Sequence, residues 1–467
     1  MALSVAYASA FELKSAIAKK EISPVEIVRA SLARAEQLEP TLNSFVTLTP
    51  DLALEAAKTA EAAVMRGENR GLLQGLPISV KDVIPVKGVR LTFGSKTLAD
   101  NVAHIDAPVV ERIVAAGACI IGKTTTSEFG AKAVGDSPLS GATRNPWNIA
   151  KTPGGSSAGA TASVASGVTP FSIGTDGGGS VRIPCALTGL FGIKPQYARI
   201  AMFPVSAATT LSHYGVVART VKDAALLLTA ISGFDARDPY AIVDPSPDYL
   251  AACERPIRGM RIAWSPTLGF AWADPEVLRI AEAAALTFQE LGCTVELVEK
   301  VFDEDPVEIW SSEFYAGIGT RLKPALERSR HLLDPAVAAI LEKALGQTLE
   351  QYYANVFRRY DLRERVRQFF ERFDLLLSPT LPVPAFDVFR DLPSELENTD
   401  RNIVSWVYYT YPFNLTGQPA ASIPAGFTAT NLPVGLQMVA RTNQEVDIFR
   451  AAAAFEEARP WAQVTPI

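Results

Sequence analysis

Short apolar runs alternate with stretches of helical periodicity along most of this 467-residue chain. That alternation constrains the fold more than any other feature, because strands interleaved with helices build a layered α/β sheet. Strands are expected at Leu76–Val80, Cys119–Ile121, Pro170–Ile173, Phe191–Ile193, Met260–Trp264, Cys293–Leu297, Asp374–Leu377, Ser422–Ala425 and Gly435–Val439. A capping box, Ser23-Pro-Val-Glu26, starts a helix that carries Ile27, Val28, Leu32 and Ala35 on one face, with Pro40 expected to end it. Further helices are expected over roughly 51–66, at Val109–Ala116, over 156–166, after Thr220, between Asp274 and Gly292, and through most of 303–372. There is no internal repeat and no low-complexity linker.

Composition limits what such a chain does. Hydrophobic content of 48% and charged content of 20% suit a large buried core. A net charge of −6 argues against sequence-independent nucleic-acid binding, which needs a basic surface. Cys119, Cys185, Cys253 and Cys293 are far apart, so neither a zinc site nor a disulfide framework is expected. Met1 to Lys20 lacks a basic start followed by a continuous apolar stretch, and no run reaches the length of a membrane helix. The expectation is a cytoplasmic protein that engages neither nucleic acid nor a membrane. The sequon Asn414-Leu-Thr416 reads as a chance match.

The chemistry concentrates in three segments. Gly174-Thr-Asp-Gly-Gly-Gly-Ser-Val-Arg182 follows an apolar strand and ends a glycine run on Ser180. Glycines let the backbone approach a ligand, and successive N–H groups in such a turn form an anion-binding hollow. That hollow suits an oxyanion or a phosphate equally well. Lys81 follows the apolar strand Leu76–Val80; in such surroundings an ammonium loses hydration and its pKa falls toward that of a useful base. The plainer reading makes it a structural lysine paired with Asp82. Thr152-Pro-Gly-Gly-Ser-Ser-Ala-Gly159 is a sharp turn entering a helix of small residues, and its plainer reading is an N-cap serine.

Together these segments resemble the amidase signature family. The resemblance rests on Gly75-Leu-Pro-Ile-Ser-Val-Lys-Asp82, Gly122-Lys-Thr-Thr-Thr-Ser-Glu-Phe-Gly130, Arg144-Asn-Pro-Trp-Asn148, the 152–159 turn and the 174–184 loop. Ala218–Ala225, Ser378–Pro382, Asn414–Pro419 and Leu432–Gln437 also match. It covers about residues 8–235 and 373–440. It implies a large mixed, twisted β-sheet sandwiched between layers of α-helices, within a single domain over 1–467. That domain divides into a catalytic core (65–235), a variable substrate-shaping region (236–372) and a C-terminal part that completes the sheet (373–467). It implies a catalytic triad of Lys81, Ser156 and Ser180, with a cis peptide before Ser156. Ser180 is the implied nucleophile and Ser156 the proton relay to Lys81. The N–H groups of Gly177, Gly178, Gly179 and Ser180 are the implied oxyanion hole, supported by Ser157, Asp176 and Arg182. Members commonly have threonine where this chain has Gly177, which implies a looser loop here. Neither a cofactor nor a metal is implied. A small-molecule amide is the implied substrate, with carbamates and esters as neighbouring chemistries, and a homodimer is one expected assembly.

Other readings compete. Within the family, the alternative is the glutaminase component of a tRNA-dependent amidotransferase. Gly117-Ala-Cys-Ile-Ile-Gly-Lys-Thr124 fits a P-loop pattern, although its interior is itself the expected strand. Gly155-Ser-Ser-Ala-Gly159 fits a nucleophile elbow centred on Ser157, which would need an acid and a histidine downstream. A scaffold without catalysis is a third class. The three histidines, His104, His213 and His331, all lie far from the glycine loop in sequence. Phe203, Trp310, Tyr315, Tyr408, Tyr409 and Tyr411 are the candidate walls of an acyl pocket.

Overall fold

The computed structural model describes residues 4–466. Its strands, in chain order, are β1 (Phe45–Leu48), β2 (Pro77–Lys81), β3 (Cys119–Thr124), β4 (Asp136–Ser137), β5 (Gly141–Ala142), β6 (Phe171–Asp176) and β7 (Phe191–Lys194). They continue as β8 (His213–Ala218), β9 (Arg261–Trp264), β10 (Thr294–Leu297), β11 (Leu375–Pro379), β12 (Ala420–Phe427) and β13 (Pro433–Ala440). Eleven of them form one sheet, in the order β1-β3-β2-β6-β8-β7-β12-β13-β11-β9-β10. Its middle is antiparallel, whereas β3-β2-β6 near one end and β11-β9-β10 at the other are parallel. This is the mixed α/β sheet the sequence implied. Among the described residues, no helix is long and apolar enough to cross a membrane.

Strand alternation splits the core between the two faces. Ile78, Val80, Ile262, Leu375, Leu377, Leu436 and Met438 join one hydrophobic cluster. Ala263, Leu376, Val434 and Val439 join another on the opposite face. The helices Val221–Ile231 and Glu445–Ala458 cover the first face, and the helix Val307–Arg328 belongs to the second.

Several local expectations change. Pro40 does not end its helix, which runs Pro24–Leu42 and stops at Asn43, whose φ is +50°. In the last turn a missing N–H costs only one hydrogen bond, and the left-handed residue terminates the helix. The helix expected over 156–166 is shorter, Ala158–Ala165, because the chain before it is the turn that carries Ser156. Ala10–Ala18, β1, Arg182–Thr188, β8 and Glu445–Ala458 have no counterpart in the sequence reading.

Candidate active site

Residues of the site gather at the carboxyl ends of two adjacent parallel strands, β2 and β6, where open α/β sheets place ligands. Ile78 and Val80 point into one core face, so alternation turns Ser79 and Lys81 to the other, toward the helix Ala158–Ala165. Lys81 is fully buried. Its Nζ donates to three hydroxyls: Ser156 Oγ at 2.7 Å, Thr175 Oγ1 at 2.8 Å and Ser157 Oγ at 3.0 Å. Burial pulls its pKa down to about 7, against the opposing charge of Asp176. Asp82 is not its partner. Asp82 lies in the turn just beyond β2 and takes Lys123 Nζ at 2.9 Å and the Thr92 N–H at 3.0 Å.

The Gly155–Ser156 peptide is cis, as the resemblance implies. A side chain at Gly155 would strike the backbone of Val134, so only glycine fits there. Ser157 ties the two loops together: its N–H donates to Ser180 O at 3.2 Å and its Oγ to Thr175 O at 3.1 Å.

Beyond β6 the glycine loop is braced from below. Asp176 Oδ1 accepts the Gly179 N–H at 2.8 Å and Arg182 Nη2 at 2.9 Å; Oδ2 accepts Arg182 Nε at 3.0 Å. Burial pushes the Asp176 carboxyl up, but the Arg182 guanidinium outweighs it and holds the acid well below the usual range. Arg182 also donates to Asn414 Oδ1 at 2.7 Å, Gln437 Oε1 at 2.8 Å and Thr410 O at 2.9 Å. Asn414, the sequon residue, is fully buried in this network. Asn414, Gln437 and Thr410 were not foreseen: the first two lie in matching segments, but their sequence does not say what they touch.

Gly179 departs from its expected place in the oxyanion hole. Its N–H is already taken by the Asp176 carboxylate, a stronger acceptor than a substrate carbonyl. Among the described residues, the N–H groups of Gly177, Gly178 and Ser180 have no protein acceptor. The loop is not loosened by Gly177 either. Trp310 Nε1 donates to Gly177 O at 2.8 Å, and a Cβ on Gly177 would stand 2.7 Å from Phe314 Cε2. Phe314 fills the space a threonine would need.

A cavity of about 430 Å³ opens over Ser156, Thr175, Gly177 and Ser180. Phe93, Phe129, Tyr214 and Phe314 supply its aromatic lining; of the six expected aromatics, Trp310 instead lines a small hollow beside it with Gly178, Ser180 and Phe314. Tyr315 and Tyr408 line a larger cavity of about 1080 Å³ that contains none of the triad, and Trp310 packs under Gly178. The sequence could not rank aromatics by their distance from Ser180.

The rival motifs lose their geometry. Lys123 sits inside β3 and is spent on Asp82, so no phosphate loop exists there. His104 and His331 are exposed. His213 is buried behind the loop, its Nδ1 donating to Leu211 O at 2.8 Å and its Nε2 3.3 Å from Lys194 Nζ. Burial holds its pKa well below 6.5, so the ring is neutral. Among the described residues no carboxylate orients this ring, and it makes no hydrogen bond to Ser157.

The Amidase family model matches residues 26–449. The chain is 36% identical over 463 residues to an acylamidase from Rhodococcus erythropolis, covering 98% of this chain and 97% of that protein. It is also 36% identical over 483 residues to a subunit of the glutamyl-tRNA(Gln) amidotransferase of Azotobacter vinelandii, covering 97% and 98%. The crystal structure of a bacterial aryl acylamidase of the amidase signature enzymes superposes with a TM-score of 0.93 at 30% identity, covering 98% of both chains. With the family model spanning most of its length and such relatives matched end to end, this chain belongs to the Amidase family of amidase signature enzymes and is an amide-hydrolysing enzyme.

Proposed function

We propose that Ser180 is the nucleophile of an acyl-enzyme mechanism on a small-molecule amide, with Ser156 and Lys81 as its proton relay. One observation carries this reading: a fully buried lysine with its pKa near 7 holds hydroxyls and no carboxylate, with Ser156 Oγ 2.7 Å away. In the neutral form Lys81 accepts the Ser156 proton as Ser156 accepts that of Ser180. Ser180 Oγ bonds to the carbonyl carbon, and the resulting oxyanion faces the unoccupied N–H groups of Gly177, Gly178 and Ser180. Each such donor contributes about 10²–10³ in rate. The proton returns through Ser156 to the leaving amine as the C–N bond breaks. Water then repeats the sequence on the acyl-enzyme and releases the acid.

The division of labour follows the three stretches of the chain: 65–235 carries the chemistry, 236–372 shapes the substrate site and 373–467 completes the sheet. A fluorophosphonate is expected to label Ser180 covalently, with labelling lost in Ser180→Ala and strongly slowed in Lys81→Ala. Labelling at another residue, with hydrolysis intact in Ser180→Ala, overturns the assignment.

Similarity to an amidotransferase component raises the glutaminase alternative. The cavity favours an amide without an ammonium group instead. Among the described residues no carboxylate lines it, so nothing there pairs with the ammonium of a bound glutamine. Glutaminase activity together with co-purifying partner proteins would reverse this choice.

A further inference from the structure

The helix Val307–Arg328 lies along the cavity from the glycine loop to its mouth. Phe314, Ile318 and Arg321 recur at helical spacing, so they share one face. Phe314 packs on Gly177, beside the free N–H groups. Arg321 is seven residues further on, and seven residues of α-helix advance about 10 Å.

Among the described residues, Arg321 is the only charged one that lines this cavity. Its Nη1 and Nη2 both donate to Val205 O at 3.2 Å, which holds the guanidinium against the loop forming the opposite wall. Arg321 makes no ion pair with any described residue. The remaining lining is aliphatic, aromatic or hydroxyl. The cavity is therefore uncharged over its length apart from one solvent-exposed guanidinium, without an ion pair among the described residues, at its mouth. A guanidinium fork matches the geometry of a carboxylate.

We propose that this helix acts as a ruler, and that the enzyme prefers amides bearing a carboxylate at the end of an apolar spacer whose length is set by the two helical turns between Phe314 and Arg321. The inference rests on the acyl-enzyme reading at Ser180 and names its substrate class. Arg321 is the specificity residue, paired with the anion at the mouth while Phe314 and Ile318 pack the spacer.

The test uses the full-length enzyme and two matched series. One is the 4-nitroanilides of α,ω-dicarboxylic acids of increasing length, each beside its neutral methyl ester. The other places the carboxylate on the amine side, as N-(ω-carboxyalkyl) benzamides beside their esters. In one series, kcat/KM for acid over ester should exceed one and pass through a maximum with length. Arg321→Gln should lower that ratio about tenfold through KM, and Arg321→Glu should invert it. High salt should shrink the ratio. A ratio at or below one at every length in both series overturns the proposal, as does a ratio that Arg321→Gln leaves unmoved. Those results leave the acyl-enzyme reading standing if the neutral esters are still cleaved at their amide bond and Ser180 is still labelled. Loss of both labelling and hydrolysis in the parent enzyme is the separate failure of that reading.

Discussion

Lys81 and Lys123 lie on neighbouring parallel strands, one residue out of register, and both are fully buried. Lys123 holds the carboxylate of Asp82 at 2.9 Å; Lys81 touches only hydroxyls. Burial lowers both pKa values, and for Lys123 a carboxylate in direct contact opposes it. A third buried lysine, Lys132, extends the series. Burial alone would lower it, but Asp136 and Asp334 at 2.8 Å and Asp391 at 2.9 Å raise it above the ordinary value. Burial by itself therefore does not make a base. A counterion turns a buried lysine into a structural strut, and a ring of hydroxyls leaves it able to lose its proton near neutral pH.

The largest expected effect is at Lys81. Lys81→Met should cost roughly 10⁴-fold or more in kcat/KM. Tm should stay at or above that of the parent, since the change removes a buried charge without a counterion. Thermal melting and amide hydrolysis on the same preparation check both. Lys123→Met should do the reverse. It strands the Asp82 carboxylate in the core and should destabilise by about 3–5 kcal/mol in denaturant unfolding. Enzyme that remains folded should keep its activity, and a stable but inactive Lys123→Met would erase the distinction between the two lysines.

A smaller effect is the pH dependence of the parent. Lys81 must be neutral to act as a base, so kcat/KM should rise through pH about 7 and level off above it. Below that midpoint it should fall about tenfold per unit. A profile flat from acid to neutral pH would contradict the role given to Lys81.

The smallest effect concerns a buried acid, Asp223, and a partly buried one, Glu456, without a cation in hydrogen-bond contact, the mirror image of a lysine without a counterion. Burial raises Asp223 to about 6 and Glu456 to about 7, and each leaves one carboxyl oxygen without a partner. Their folded-state pKa values lie above the unfolded ones. The stability they contribute is therefore full below the ordinary carboxyl range and is lost as pH rises through 6 to 7. Glu456→Gln should flatten this loss by on the order of 1 kcal/mol, read as Tm measured from pH 5 to 8.

Much of the site was legible because its residues sit where local rules are strong. Ile78 and Val80 alternate with Ser79 and Lys81, which already turns the lysine away from one apolar face. Pro-Gly-Gly-Ser-Ser and Asp-Gly-Gly-Gly-Ser announce tight turns. Less legible were elements defined by their neighbours: β8 carries Gly215 and a histidine, and its place between β6 and β7 comes from pairing rather than pattern. Pro40 misled because proline stops a helix only where a full turn of hydrogen bonds would follow. The oxyanion donors could be named as a group, but that Gly179 gives its N–H to Asp176 depends on a carboxylate three residues away in chain and folded under the loop. Among the expected pocket walls Trp310 lies beside Ser180 and Tyr315 does not, because aromatic residues look alike in sequence and only a helix axis says that Phe314 rather than Tyr315 lines the cavity with Ser180.

Strand and helix periodicity and glycine turns are short-range properties of a chain. The layered α/β class, the residue types that carry the chemistry and their order therefore followed from the amino acids alone. Folding was needed to settle which buried lysine meets a carboxylate, which loop N–H remains free, and that Arg321 ends an otherwise uncharged cavity. Those outcomes depend on contacts between residues far apart in the chain, where burial and a partner's charge set the energy and no local pattern records it.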